Sequence, residues 1–206
     1  MIRLNRSDWI FIAICVAIAA LSVFVVLHWF TRVFPEASID FRYDRDSSRS
    51  IAEPLVAAQV GGMKHTAVFD GDDQAKIFLE RTLGLARATP VMRSEVRLWW
   101  WHHRWFRPLQ EEELAVDVAP TGEIVGYDDT IPEARALPSP DVAGARRVAE
   151  AFLGRARVNL ADLQLVSQSE RRLPQRMQRI FTWESQSVHP AGTAYRHVVT
   201  VDGDRV

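Results

Sequence analysis

The most apolar part of the chain lies near its N-terminus. Residues 9–30 read WIFIAICVAIAALSVFVVLHWF and contain no formally charged side chain. At about 1.5 Å per residue, a helix of this length spans roughly the 30 Å of a bilayer's hydrocarbon core. Trp9 and Trp29 lie at the two ends, where aromatic rings favour the headgroup region. The pattern therefore predicts a transmembrane helix over residues 9–30, preceded by a short N-terminal segment at residues 1–8.

A cleaved signal peptide is the alternative for this segment, because small residues occur at positions 17–20. The apolar run continues to residue 30, where a cleavage site would be followed by polar residues, and this favours a retained anchor. Arg3 and Arg6 precede the helix, whereas Arg32 alone follows it immediately. Basic residues favour the cytoplasmic side. We therefore expect residues 1–8 to be cytoplasmic and the remainder of the chain to be extracytoplasmic, at the cell membrane.

The residues that follow the apolar segment are more polar and show shorter patterns. Residues 31–68 form a lead-in segment in which Ile39, Phe41 and Tyr43 alternate with polar residues, as in a short strand. A helix is predicted near residues 47–59 on the basis of its apolar positions. We expect a strand followed by a helix in this region.

Two helical patterns, about 70 residues apart in the chain, have the same apolar spacing. The first covers residues 75–83 and ends at Gly84, with aspartates before it that can cap the helix. The second covers residues 145–153 and ends at Gly154, with Ser139 as the predicted cap. The similarity of the two patterns indicates an internal repeat.

The segments after the two helices also correspond. Residues 96–106 and 179–185 are aromatic-rich strand candidates, and alternating apolar residues with turn signals follow each of them. We therefore predict an α+β fold: one transmembrane helix, then two units, at residues 69–135 and 136–206, each with a helix against an antiparallel sheet. The second unit stops just after its turn, so we expect the sequence to be the N-terminal piece of a longer protein.

Composition narrows the classes of partner. The chain has 25 basic and 26 acidic side chains, a net charge of -1, which gives no electrostatic reason to expect nucleic acid as a partner. The only cysteine is Cys15, inside the apolar segment, so the water-soluble part carries no thiol. The expected partners are the lipid bilayer and a protein or peptide.

Several stretches resemble known proteins. The helix, strand and hairpin unit with VDVAPTGEIVG at residues 116–126 resembles the PepSY domain, a small extracytoplasmic module. The longer run, which includes IDFRYDRDSS, FDGDDQAKIFLERTLGL, RLWWWHHRWFRPLQEEE and LPQRMQRIFTWESQSVHPAG, resembles the extracytoplasmic N-terminal region of some intramembrane metalloproteases of the CAAX protease and bacteriocin-processing family, abbreviated CPBP.

This resemblance implies two PepSY-like units in the non-catalytic front part of a membrane metalloprotease, where they present or gate substrate. The family's Glu-Glu-x-x-x-Arg motif is absent, because Val116 and Asp117 occupy the positions where the Glu111–Glu113 run would require Arg. No catalytic or metal-binding residue is therefore carried over, and no cofactor is expected in this chain. Zinc is expected only in a following catalytic part. The alternative is a stand-alone single-pass protein whose PepSY-like domain binds or inhibits a protein partner.

One strand candidate is unusually rich in aromatic and basic residues. Strand alternation places Trp99, Trp101 and Trp105 on one face, with Arg104 and Arg107 nearby. If this face is exposed, it offers a surface for a partner, and these five residues are the candidate binding site. The alternative is a strand buried on both faces. The neighbouring histidines of this strand point to opposite faces and do not form a metal site together.

Overall fold

The N-terminal helix is exposed along its apolar stretch. The computed structural model describes residues 5–206, without the side chains of residues 31–33 and 38. Helix α1 spans Arg6–Val33 and begins with a capping box in which Asn5 and Asp8 exchange hydrogen bonds. Its most apolar window is 0 % buried, and within the described residues it is the one helix long and apolar enough to span a membrane. The prediction of the membrane orientation of α1 uses Arg3 and the side chain of Arg32, which lie outside the residues that the structure describes.

A short connection joins α1 to the first helix of the folded part. A 3-10 turn at Pro35–Ser38 is followed by helix α2, Arg45–Val56, whose N-cap Asp44 accepts a hydrogen bond from the backbone of Ser47. The strand predicted from Ile39, Phe41 and Tyr43 is wrong, since no strand forms between these two helices.

The connection instead contacts a turn of the first sheet. The backbone N–H groups of Arg42 and Tyr43 both donate to the carbonyl of Pro120, at 3.1 and 2.9 Å. Two successive N–H groups on one carbonyl are not a strand ladder, in which alternate groups would point to a partner strand.

The first sheet has four antiparallel strands in the order β1-β2-β3-β4. These are β1 Lys64–Gly71, β2 Trp99–Phe106, β3 Glu113–Val118 and β4 Ile124–Thr130. Helix α2 covers one face, where Ala52 and Val56 pack in a buried cluster with Trp105, Val116 and Val118. The opposite face has no helix across its centre, and the two faces therefore have different exposure.

Helices α3, Asp73–Leu83, and α4, Leu85–Ser94, lie between β1 and β2 in the chain. Asp72 caps α3, and Gly84 separates the two helices with a φ of 73°, which favours glycine. A second buried cluster contains Leu79, Ala88, Met92, Val96 and Leu98. The ion pair of Lys76 with Glu36 connects α3 to the turn that follows α1. The helical pair thus lies next to the end of the apolar helix.

The second sheet has three antiparallel strands in the order β5-β6-β7. These strands and their helix are α5 Val142–Arg155, β5 Leu163–Arg172, β6 Met177–Ser185 and β7 Arg196–Asp202. The N-cap of α5 is Asp141 rather than the predicted Ser139, whose hydroxyl instead accepts a hydrogen bond from the backbone of Met177. The α+β class with one apolar N-terminal helix and two antiparallel sheets is confirmed.

The topology corrects the internal repeat. Helix α5 packs on β6 and β7, and α2 packs on β2 and β3. In each unit a helix is followed by antiparallel strands in sequential order, four in the first unit and three in the second, so α2 corresponds to α5 and β1 corresponds to β5. The helix that matches α5 in sequence pattern, α3, belongs to a helical pair that lies between the first two strands of its unit. Two helices with the same apolar period therefore occupy different places in the fold.

The two units contact each other directly. The rings of Tyr127 and Phe152 lie 4.8 Å apart, and Arg205 forms an ion pair with Asp129 at 3.7 Å. The buried Arg176 donates to the carbonyls of the linker at Pro132, Glu133 and Arg135. These polar contacts hold the linker between the units against the second sheet.

Candidate functional site

The three tryptophans of the predicted binding face have different neighbours, and Trp99 packs against the buried cluster of α3 and α4. Trp105 is 2 % exposed and belongs to the cluster formed with α2. The indole N–H of Trp101 donates to the carbonyl of Tyr43 at 3.1 Å, and Trp99 packs over Gly71. An exposed face formed by these residues is therefore wrong for Trp105, because Ala52 and Val56 of α2 cover that side of the sheet. For Trp99 and Trp101, which are half-buried, the binding role stays a prediction.

The two arginines of the predicted site occupy separate environments. Arg104 lies on the opposite face of β2, where it pairs with Glu113 and stacks at 4.9 Å from the ring centre of Phe106. Arg107 lies beyond the strand and donates to the carbonyl of Gly61 at 2.7 Å. The five residues do not form one surface, because strand alternation and the end of β2 separate them.

A cleft forms on the open side of the first sheet, where the sheet meets α3 and the segment before β7. We call it the aromatic cleft and define it by Asp72, Phe78, Arg97, Trp100, Asp117 and Tyr195. Its volume is about 370 Å³. Phe78, Trp100 and Tyr195 supply aromatic walls, while Asp72, Arg97 and Asp117 supply the charged groups. A cleft of this size and composition is typical of a site that binds a small ligand or one side chain of a partner.

Asp117 is held in place by its neighbours on the sheet. His102 lies directly opposite Asp117 on β2, and its Nδ1–H donates to Asp117 Oδ1 at 2.7 Å. On the other side, Gly126 of β4 leaves room for the carboxylate, since a Cβ at Gly126 would collide with Asp117 Oδ2. Burial raises the pKa of Asp117, against the lowering effect of the hydrogen bond from His102. The carboxylate is therefore both oriented and incompletely solvated.

Arg97 forms the wall between the cleft and the turn of the first hairpin. Its Nη2 donates to Glu123 at 2.7 Å, while Nε and Nη1 are buried without a partner among the described residues. Burial acts to raise the pKa of Glu123, but hydrogen bonds from Arg97 and Thr121 outweigh it, and the pKa of Glu123 lies below its usual value. Arg97 therefore forms an ion pair with one carboxylate of the protein itself, that of Glu123.

A second group of chemistry-bearing side chains lies under α2. His103 Nε2 lies 2.9 Å from Ser48 Oγ, and His103 Nδ1 lies 3.1 Å from His65 Nε2. Ser48 Oγ also donates to the carbonyl of Arg45 at 3.1 Å. Both histidines can be neutral in this chain of hydrogen bonds, with His65 donating to His103 and His103 donating to Ser48.

This Ser-His-His chain is structural rather than catalytic. Ser48 and His103 are both 0 % exposed, so a substrate carbonyl has no path to the hydroxyl. Burial, followed by repulsion from His65, lowers the pKa of His103 to about 4. Burial is also the largest cause that lowers the pKa of His65. The hydrogen bonds among Ser48, His103 and His65 satisfy the polar groups beneath α2. Because protonation of the histidines would disrupt these bonds, the stability of this region depends on pH.

No metal site accompanies either cluster. Across residues 5–206, no group of three or more His, Cys, Asp or Glu side chains converges so that it could hold a metal ion. The adjacent His102 and His103 point to opposite faces of β2, one to Asp117 and the other to Ser48. The two histidines therefore belong to separate hydrogen-bonded groups.

Sequence analysis missed the residues that form the cleft. Strand alternation placed Trp100 and His102 together on one face, but nothing local indicated that this face is the open one. Tyr195 comes to Trp100 from the second unit, and Phe78 from the inserted helical pair. Only the cross-strand register, which places His102 opposite Asp117, identifies the partner of the histidine.

Comparison with known proteins gives no further assignment: no protein-family model, curated protein or solved structure matches this chain.

Proposed function

We propose that this chain is a membrane-anchored, extracytoplasmic binding module that engages a polypeptide segment of a substrate or partner. The observation that carries the proposal is α1, whose apolar window is 0 % buried although the described residues form three buried hydrophobic clusters elsewhere. An unburied apolar helix of this length is stable when lipid surrounds it. Residues 31–206 are then held at the membrane surface.

The aromatic cleft supports a binding role for the anchored part. Three aromatic side chains line a concave site that none of the described elements fills. Aromatic residues supply much of the energy of protein recognition when they lie in a concave site. Ser48, the hydroxyl beside the histidine pair, is buried, and this supports a binding role rather than a catalytic one for the described part. The proposal is therefore binding without catalysis.

Within this role, the chain is the non-catalytic front part of a CPBP-type intramembrane metalloprotease, with two PepSY-like units that present or gate substrate. Arg3 and Arg6 before the anchor, against Arg32 after it, support an extracytoplasmic location for the units. The close contact of α3 with the turn after α1, through Lys76 and Glu36, supports a position next to the bilayer. A stand-alone single-pass protein that binds or inhibits a partner is the second candidate.

The reading frame downstream of the Val206 codon separates the two candidates. The metalloprotease candidate predicts further transmembrane segments with a Glu-Glu-x-x-x-Arg motif in the same frame. An immediate in-frame stop codon would exclude it and favour the stand-alone single-pass protein. Both candidates predict that the 206-residue chain, purified in detergent with zinc, cleaves no peptide substrate. Zinc-dependent cleavage that disappears on chelation would contradict the non-catalytic role.

A further inference from the structure

We infer that the aromatic cleft binds the cationic side chain of a lysine or arginine in a partner polypeptide. This inference rests on the proposed binding role and specifies its ligand. It is independent of whether the chain belongs to a metalloprotease.

The walls of the cleft suit a cation. Trp100, Phe78 and Tyr195 line the same cleft, and the faces of their rings carry negative electrostatic potential. The long methylene stem of lysine or arginine packs on apolar walls while its charged end remains near polar groups. Ala75 and Val125 extend the apolar lining. The cleft thus offers contact for both parts of such a side chain.

The charges of the cleft leave an excess of carboxylate. Arg97 is paired with Glu123, whereas Asp117 has the imidazole of His102 opposite it and Asp72 caps α3, and neither carboxylate is paired with a lysine or arginine among the described residues. Asp70, directly opposite Trp100 on β1, adds a third carboxylate beside the cleft. Within the part of the chain that the structure describes, Asp117 accepts a side-chain hydrogen bond from His102 alone. A bound ammonium or guanidinium group would therefore complement the charges that the chain leaves unpaired.

The size of the cleft limits the ligand. Its volume of about 370 Å³ is near the lower end of the range for ligand sites, which is roughly 300 to 1,000 Å³. It accommodates one long side chain and adjoining backbone rather than a folded surface. A single anchor residue in an extended peptide is the form of ligand that fits.

Binding can be measured on the full chain in detergent micelles, with tryptophan indole nitrogens labelled with ¹⁵N. The probes are Nα-acetyl-lysine methylamide, its arginine counterpart, and the uncharged norleucine counterpart. The Trp100 indole signal is identified by its loss in Trp100→Phe. The lysine and arginine probes are expected to shift this signal saturably, with dissociation constants about tenfold lower than that of the norleucine probe.

Matched variants locate the interaction. Asp117→Asn keeps the shape of the side chain and is expected to weaken lysine-probe binding by about tenfold, as is Trp100→Ala. The controls are Asp128→Asn and Phe106→Ala, an exposed carboxylate and an aromatic residue of the same sheet that do not line the cleft. The controls are expected to bind like the unmodified chain, and a native-like indole spectrum verifies the fold of each variant.

Three results would overturn the inference. The first is equal binding of the lysine and norleucine probes, which would leave the cleft as a binding site but remove its preference for a cation. The second is equal weakening by Asp117→Asn and Asp128→Asn, which would indicate general electrostatic attraction. The third is the absence of any shift of the Trp100 signal with the lysine and arginine probes.

Discussion

Replacing Trp105 by Ala is expected to lower the free energy of unfolding by about 3 to 5 kcal/mol, the usual cost of truncating a large buried aromatic side chain. Trp105 is 2 % exposed and packs with Ala52 and Val56 in the buried cluster between α2 and the first sheet, so its truncation removes these contacts and leaves a cavity. Denaturant unfolding of the full chain in a non-ionic detergent, followed by far-ultraviolet circular dichroism, measures the loss.

Trp100→Ala is the matched control on the same strand. Trp100 is half-buried at the edge of the aromatic cleft, so we expect this change to cost only about 1 kcal/mol. Equal losses for the two variants would contradict the assignment of covered and open faces to β2. A small loss for Trp105→Ala would restore the hypothesis of an exposed tryptophan face.

Acid is expected to destabilise the folded part through His103. In the unfolded chain the pKa of His103 is near the usual histidine value of 6.5, while burial and repulsion from His65 lower the pKa of His103 in the folded state to about 4. Between these values the unfolded state binds a proton that the folded state does not, and the free energy of unfolding falls as the pH falls. The stabilisation is fully present above pH 6.5 and is lost by about pH 4, a total of roughly 3 kcal/mol.

Unfolding measured at several pH values, for the unmodified chain and for His103→Gln, isolates this contribution. The difference between the two curves is expected to change by roughly 3 kcal/mol from pH 7 to pH 4, because His103→Gln removes the titrating group. The carboxyl groups titrate in both proteins, so they cancel in the difference. A ¹H NMR titration that gave His103 a midpoint near 6.5 in the folded chain would contradict the prediction.

The sequence predicted elements whose boundaries depend on local chemistry. Asp72 and Gly84 mark α3 because a side-chain oxygen and a residue with positive φ meet local requirements at the two ends of a helix. The hairpin turn between β3 and β4 was predicted from Pro120, Thr121 and Gly122, and its ends are joined by the hydrogen bond from Gly122 N to Ala119 O. Neither feature needs information from distant residues.

Two strands were missed because their sequences lack the alternation of a half-buried strand. β5 is an edge strand that is exposed along most of its length, and its second half reads SQSERR. β1 is also an edge strand, with histidine, threonine and lysine among its residues. Hydrogen bonding to a neighbouring strand stabilises β1 and β5, and the spacing of apolar residues in the sequence does not indicate such pairing.

The sequence left open which face of β2 is exposed, for a related reason. Alternation correctly divides Trp99, Trp101 and Trp105 from Trp100, but it does not say which set meets a helix. The structure shows that α2 covers the face that contains Trp105, because Ser48 lies within hydrogen-bond distance of His103 and Val56 packs in the cluster of Trp105. The cleft was inaccessible to sequence reasoning because its members come from α3, the first sheet and the segment before β7.

Cysteine labelling in intact cells tests most directly whether α1 anchors the folded part outside the cytoplasm. Cys15 is the single cysteine, so a Cys15→Ala background permits one reporter at a time. Ser7→Cys lies at the start of α1, and Ser169→Cys lies at an exposed position of β5. The account predicts that a membrane-impermeant maleimide labels Ser169→Cys in intact cells and Ser7→Cys only after lysis, with both proteins in the alkali-resistant membrane fraction. Labelling of Ser7→Cys alone in intact cells, or release of the chain from the membranes by alkali, would contradict it.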